Sequence, residues 1–165
     1  MSKEENQIQI IQVAKDLLEK AGFQANVRIT ESGFGYGALP VVLIESDNDL
    51  SVLIGKNGQN LNALEHLIRV LASRKIIVAD DDPERGAFLV DINDYRKSRS
   101  HYILEIARSA ATRVINTQKA EALAPMTPYE RRLIHTELAS YKEIQTESIG
   151  EEPRRRVVVK PLILD

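Results

Sequence analysis

The chain has 165 residues, 43% hydrophobic and 28% charged, a composition that fits one ordinary domain or two small ones and excludes wholesale disorder. The absence of cysteine excludes a disulfide scaffold, a thiolate zinc site and a cysteine nucleophile, and the three histidines (His66, His101 and His135) are never in metal-ligand spacing. The net charge of -2 divides unequally: residues 1–92 sum to -5 and residues 93–165 to +3, so only the second part attracts polyanions as a whole.

Residues 5–21 read as an amphipathic helix, with Ile8, Ile11, Ala14, Leu17, Leu18 and Ala21 inward and Gly22 ending it. Ala25, Val27 and Ile29 then alternate as a half-buried strand. A glycine-rich loop at 33–37 separates it from a second apolar strand over 39–44, and the two strands are expected to form a hairpin. Leu50, Leu53 and Ile54 make a short helical turn that stops at Gly55. After Gly58 a longer helix carries Leu61, Leu64, Leu67, Ile68 and Leu71 on one stripe. An acidic turn at 80–84 follows, then a third strand with Phe88, Val90 and Ile92. The order through residue 92 is therefore α-β-β-α-α-β.

Asn93 or Asp94 is the expected cap of a long helix to about Thr117, with Ile103, Ile106, Ala110 and Val114 inward. Thr127-Pro128-Tyr129-Glu130 opens a further helix through a capping box with proline at its first position. Residues 146–149 and 155–159 read as a closing pair of strands. A boundary is expected near residue 93.

Gly55-Lys56-Asn57-Gly58 joins two helices with four residues. The bland reading is a tight turn in which glycine supplies positive φ. The functional reading is a clamp on a nucleic-acid backbone: the glycines allow close approach, and the following helix presents N–H groups and its positive dipole end to phosphate. Lys56 adds charge, while Asn57 and Gln59 can donate hydrogen bonds. The residues 53–61, Leu-Ile-Gly-Lys-Asn-Gly-Gln-Asn-Leu, followed by Leu64 and Leu67, resemble the KH domain in its bacterial type II order.

In the second part, Glu130-Arg131-Arg132-Leu133-Ile134-His135, the segment 146–150 and the run Arg154-Arg155-Arg156-Val157-Val158-Val159 resemble the single-stranded nucleic-acid-binding domain named for its Arg-x-x-x-His signature. This pairing, with Asp94-Tyr95-Arg96 opening the linking helix and Pro125-Met126 before the capping box, resembles the Jag (KhpB) family over roughly residues 5–161. The family commonly carries an additional N-terminal domain, which is not expected in this chain. The resemblance implies an α+β protein of two small α/β-sandwich domains. Residues 1–92 would form a type II KH domain, and residues 93–165 an Arg-x-x-x-His domain with helices packed on a three-stranded sheet.

Arg131 and His135 are four apart and share a helix face. They are either a surface arginine beside a histidine that bonds the adjoining sheet, or a pair reaching phosphate or a stacked base. Read as a strand, Arg154 and Arg156 share one face and Arg155 the other, serving a solvated sheet edge, a polyanion, or both. Arg96, Lys97 and Arg99 oppose the dipole of the long helix, a small cost that a bound phosphate would offset, although a solvated face is the commoner use. His66 reads as a half-buried packing residue.

Two motifs fail on context. Gly33-x-Gly35-x-x-Ala38 precedes a strand instead of opening a helix, and Gly55-Lys56 lacks P-loop spacing. Phe34 and Tyr36 are candidates for base stacking. No nucleophile elbow and no paired carboxylates with a partner appear, so no enzyme is expected. A residual route, phosphodiester cleavage with His135 as base and Arg131 stabilising the phosphorane, lacks a second acid or base.

The resulting expectation is a non-enzymatic protein that grips about four nucleotides of single-stranded RNA beside Gly55, Lys56, Asn57 and Gly58, with Gln59 assisting. Bases would lie on Val52, Ile54 and Leu61, their edges read by main chain of the third strand. Arg131, His135, Arg154, Arg155 and Arg156 would add a second surface, and the two together a bivalent clamp. The family implies a bacterial post-transcriptional regulator that pairs with a small single-KH protein. No cofactor, metal or membrane insertion is expected: no apolar run approaches the roughly 18 to 20 residues of a membrane helix, and MSKEENQ is no signal peptide, so the expected location is cytoplasmic. The alternatives are single-stranded DNA as ligand and a protein-interaction scaffold.

Overall fold

The computed structural model describes residues 2–30, 39–75 and 87–162. It divides into two compact units, Met1–Lys97 and Ser98–Asp165. The glycine-rich loop at 33–37, with Phe34 and Tyr36, and the acidic turn at 80–84 lie outside the described residues.

In the first unit, helix α1 (Lys3–Lys20) starts at a capping box. Ser2 Oγ accepts the Glu5 N–H, and Glu5 Oε2 accepts the Ser2 N–H. Its C-terminus closes on Gly22 at φ +83°. The Gly22 N–H donates to Glu19 O and the Phe23 N–H to Leu18 O, the paired bonds of a Schellman end. The buried face is Ile10, Val13, Ala14 and Leu18, with Ile11 and Leu17 packed beside it. Ile8, expected inward, is 63% exposed, because it falls off the i, i+3, i+4 row that starts at Ile10. Ala21 is exposed as well.

Strands β1 (Asn26–Thr30) and β2 (Val41–Glu45) pair antiparallel, and β3 (Leu89–Ile92) pairs parallel to β2, giving the order β1-β2-β3. Between β2 and β3 lie α2 (Ser51–Ile54), a 3-10 turn (Lys56–Gly58) and α3 (Gln59–Lys75). The element order is the one the periodicity predicts. Ile44, Ile68, Val90 and Ile92 are fully buried together, each contributing about 1.5–3 kcal/mol by its removal from water. The inward row of α3 is Leu61, Leu64, Ile68 and Ala72. Leu67 and Leu71, placed on that stripe by their spacing, are 50% and 36% exposed. At 100° per residue Leu67 sits about 120° from Leu61, outside the core-facing arc.

The start of α4 (Tyr95–Thr117) also departs from expectation. Asn93 and Asp94 both have left-handed backbones, with φ of 47° and 55°, unlike the extended backbone of an N-cap. Asn93 spends its side chain on Ser46, accepting the Ser46 N–H and donating to Ser46 O. The carboxylate at the helix start is that of Asp91, which accepts the Arg96 N–H at 3.1 Å.

The second unit contains β4 (Glu121–Ala122), α5 (Pro128–Leu138), β5 (Ile144–Ile149) and β6 (Arg156–Pro161). Its antiparallel sheet has the order β4-β6-β5. The core joins Ala107, Ala110, Ala111 and Val114 of α4 with Ile134, Leu138, Ile144, Val157 and Val159. The capping box at Thr127 and Glu130 is formed as predicted. Arg154 and Arg155 precede β6 instead of belonging to it, so strand alternation begins at Arg156. No helix among the described residues is long and apolar enough to cross a membrane.

Candidate nucleic-acid interface

The loop between α2 and α3 is built on glycine geometry. Gly55 has φ 68° and ψ -178°, a region that side chains exclude, and a Cβ there would lie 2.5 Å from Asn60 Cγ. Asn60 is fixed in turn by its Nδ2 donating to Val52 O at 2.7 Å. Asn57 takes the left-handed conformation, φ 54°, that asparagine tolerates. The turn leaves Lys56 and Gln59 exposed. Gly58 is buried: a Cβ there would lie 3.0 Å from Cε1 of Tyr95, so its missing side chain makes room for that ring.

Of the apolar residues expected beneath bases, Val52 is 60% exposed and Ile54 half-buried. Leu61 is only 1% exposed and belongs to the core, so no base can lie on it. The edge of β3 facing away from β2 is occupied by side chains. Val90 N–H donates to Glu65 Oε2 at 3.0 Å, and Val90 O accepts from Arg96 Nε at 2.8 Å. Arg69 donates to Phe88 O at 3.0 Å, and the Ile92 N–H donates to the Asp91 carboxylate at 2.9 Å. Burial pushes the Asp91 carboxyl above its ordinary range, against the hydrogen bonds from Arg96 and Ile92 that pull it down.

Two of the three charges at the start of α4 are therefore paired and do not form a solvated face. Arg96 bridges to Glu65 at 2.9 Å, and Arg99 to Glu130 at 2.7 Å, with all four side chains less than one-fifth exposed. Lys97 between them is exposed, as is His66, which was expected to be half-buried.

In the second unit Arg131 is 8% exposed. Its Nη1 donates to Met126 O at 2.9 Å, and its Nη2 bridges to Glu152 Oε1 at 2.7 Å. His135, one turn on, has Nδ1 2.7 Å from Thr146 Oγ1 and Nε2 2.8 Å from Ser148 Oγ. Both hydroxyls stand on the face of β5 that also carries Ile144. Burial, and then the charge of Arg131, lowers the imidazole pKa below 6.5, so the ring is neutral at pH 7. A neutral ring has one N–H and one lone pair, and each hydroxyl can serve either role. Arg154 and Arg155 are exposed, and Arg156 is half-buried with Nε donating to Arg154 O at 3.3 Å.

Sequence reading did not single out Glu65, Glu152, Thr146 or Ser148 as partners. The i, i+4 spacing of Glu65 and Arg69, which pair at 2.8 Å, was the one local signal available. Among the described residues no group of three or more potential metal ligands is assembled.

Comparison with known proteins bears on both units. Residues 101–161 match the domain family named for its Arg-x-x-x-His signature. The chain is 35% identical over 112 residues to the RNA-binding protein KhpB of Clostridium symbiosum, covering 68% of this chain and 48% of that protein. It is 38% identical over 108 residues to the protein of that name from Lactiplantibacillus plantarum (66% of this chain, 32% of that one). For Bacillus subtilis the identity is 35% over 111 residues (66% and 50%). The chain thus spans between about a third and a half of the curated relatives it matches. Over two thirds of its length it is similar to proteins named KhpB, and the Arg-x-x-x-His domain match spans Arg131, His135 and both long strands of the second sheet.

Proposed function

We propose that the chain is a non-enzymatic binder of single-stranded RNA, acting in the cytoplasm as a bacterial post-transcriptional regulator. The observation that carries this reading is the 55–58 loop. Its first glycine has a conformation closed to other residues, its lysine is exposed, and a 17-residue helix begins directly behind it. Such a turn brings a phosphate backbone close to main-chain N–H groups and a positive dipole end. The α-β-β-α-α-β order supports reading the first unit as a type II KH domain. The Arg-x-x-x-His domain match and the names of the relatives support nucleic-acid binding from the second.

Arg154 and Arg155, exposed ahead of β6, are the residues of the second unit best placed to meet phosphate. Arg131 and His135 hold the fold beneath them. Each surface alone is modest, and joining two on one chain raises affinity by effective concentration.

The test is titration of a random-sequence single-stranded RNA pool, at low and moderate salt, into wild type and Lys56→Asp/Asn57→Asp. Aspartate tolerates the left-handed backbone at position 57. The variant should keep its circular dichroism and lose at least tenfold in affinity, about 1.4 kcal/mol. Equal binding by both proteins would move the site to the second unit. Absence of binding by either would favour a protein-interaction scaffold.

A further inference from the structure

Val90 presents one N–H and one C=O on the side of β3 that β2 leaves free, the donor and acceptor a nucleobase edge needs. Both are taken, and by residues that also hold each other. Glu65 Oε2 accepts the Val90 N–H and pairs with Arg96 Nη2, while Arg96 Nε donates to Val90 O. The ring of contacts is closed, and Arg96 and Glu65 are only 17% and 13% exposed. The neighbouring residue, Tyr95, lays its ring on Gly58 of the loop. Two consecutive residues of α4 thus touch the two walls between which a single strand would run.

We propose that Glu65 and Arg96 gate base reading in this groove. The inference rests on the RNA reading above and goes beyond it. While the pair is closed, a strand is gripped by its backbone at the loop and its bases find no free main chain at Val90. A base is read there only when the Glu65–Arg96 pair opens, and the apparent affinity for a read base is reduced by the fraction of molecules that are open. Glu65 and Arg96 are specificity-determining residues that act through Val90.

The test uses the full chain and compares wild type with Glu65→Ala/Arg96→Ala, a double variant that removes the gate without changing net charge. The probes are four single-stranded RNA homopolymers of about eight nucleotides, one for each base. Wild type should bind all four within about threefold of one another. The variant should bind at least one of them fivefold or more tightly than wild type does, widen the spread among the four, and keep the same salt slope. Binding by the variant where wild type shows none also supports the gate. Equal affinities and equal spread in the two proteins overturn it, and the RNA reading survives if that binding is still lost on Lys56→Asp/Asn57→Asp. Absence of binding by both proteins overturns the gate and the RNA reading together.

Should the variant lose its cooperative melting transition, wild type answers instead. On saturation with RNA, the Arg96 Nε–H resonance should shift together with the amides of residues 56–58. Shifted loop amides beside an unmoved Arg96 resonance overturn the gate.

Discussion

Arg131 Nη2 meets Glu152 Oε1 at 2.7 Å, joining a guanidinium that is almost fully buried to a carboxylate whose side chain is 54% exposed. The same guanidinium holds Met126 O through Nη1 at 2.9 Å. Arg131 therefore ties α5 both to the turn before β6 and to the segment that precedes its own cap. Arg131→Ala would leave a buried carbonyl without its donor, and the expected cost is about 1–3 kcal/mol of stability. Arg132→Ala, on the exposed neighbour, should stay within about 0.5 kcal/mol. Urea denaturation separates the two, and equal midpoints would show that Arg131 does not hold the unit together.

The neutral imidazole of His135 makes the second unit sensitive to acid. Its folded pKa lies below 6.5, so as pH falls the unfolded chain takes up this proton first. Stability is then fully present above about pH 6.5 and is lost between that value and the lower folded pKa. Asp91 has the opposite sign in a lower window. Its folded pKa is raised from 3.8, so its contribution is present below that value and fades as pH rises through the folded pKa. His135→Gln should flatten the loss between about pH 7.5 and 5.5, read as the difference in urea midpoint between wild type and variant. Parallel profiles for the two proteins would remove His135 as the cause.

If the second unit contributes a phosphate-binding surface, its exposed arginines should carry it. Arg154→Glu/Arg155→Glu alters side chains that lie ahead of the strand pairing and outside the core. RNA affinity should fall severalfold, and the salt slope should shrink by about 0.7 for each phosphate of a single strand that is no longer neutralised. A bivalent clamp predicts more. Combined with Lys56→Asp/Asn57→Asp, this pair should reduce binding well below either double variant alone. An unchanged affinity in the arginine variant would leave the loop as a lone site.

Local chemistry was legible in the sequence wherever its partner lay within a few residues. Thr127, Pro128 and Glu130 announce a helix start that forms as written, and Gly22 and Gly55 mark the ends of helices. Long-range partnership was not legible. The pairs Glu65–Arg96 and Arg99–Glu130 each join residues 31 apart, so the same arginines looked like a solvated helix start. Strand β4 has two residues, too few to show any alternation. Leu61 and Leu67 are equally apolar, and only the angle between them on α3 decides that one is core and the other exposed. At His135 the residue type and spacing are as read, while its two hydroxyl partners come from a strand that hydropathy places without register.

Three glycines with positive φ separate conformational strain from close packing. Gly22, at φ +83°, faces open space where a Cβ would stand. Gly22→Ala should therefore cost only the left-handed backbone, about 1 kcal/mol. Gly58, at φ +78°, adds a 3.0 Å approach to an aromatic carbon of Tyr95. Gly55 combines its glycine-only backbone with a 2.5 Å clash against Asn60 Cγ, a side chain pinned by its bond to Val52 O. Gly55→Ala should thus be the most damaging of the three, about 2–4 kcal/mol, because relieving the clash means breaking that bond. Chemical denaturation of the three alanine variants should rank them Gly22, Gly58, Gly55 in rising cost. Tyr95→Ala in the Gly58→Ala background should recover part of the loss by making room for the new methyl group, whereas it should do nothing for Gly55→Ala. A Gly55→Ala protein as stable as Gly22→Ala would mean that the loop relaxes into a conformation other than the one that carries the proposed clamp.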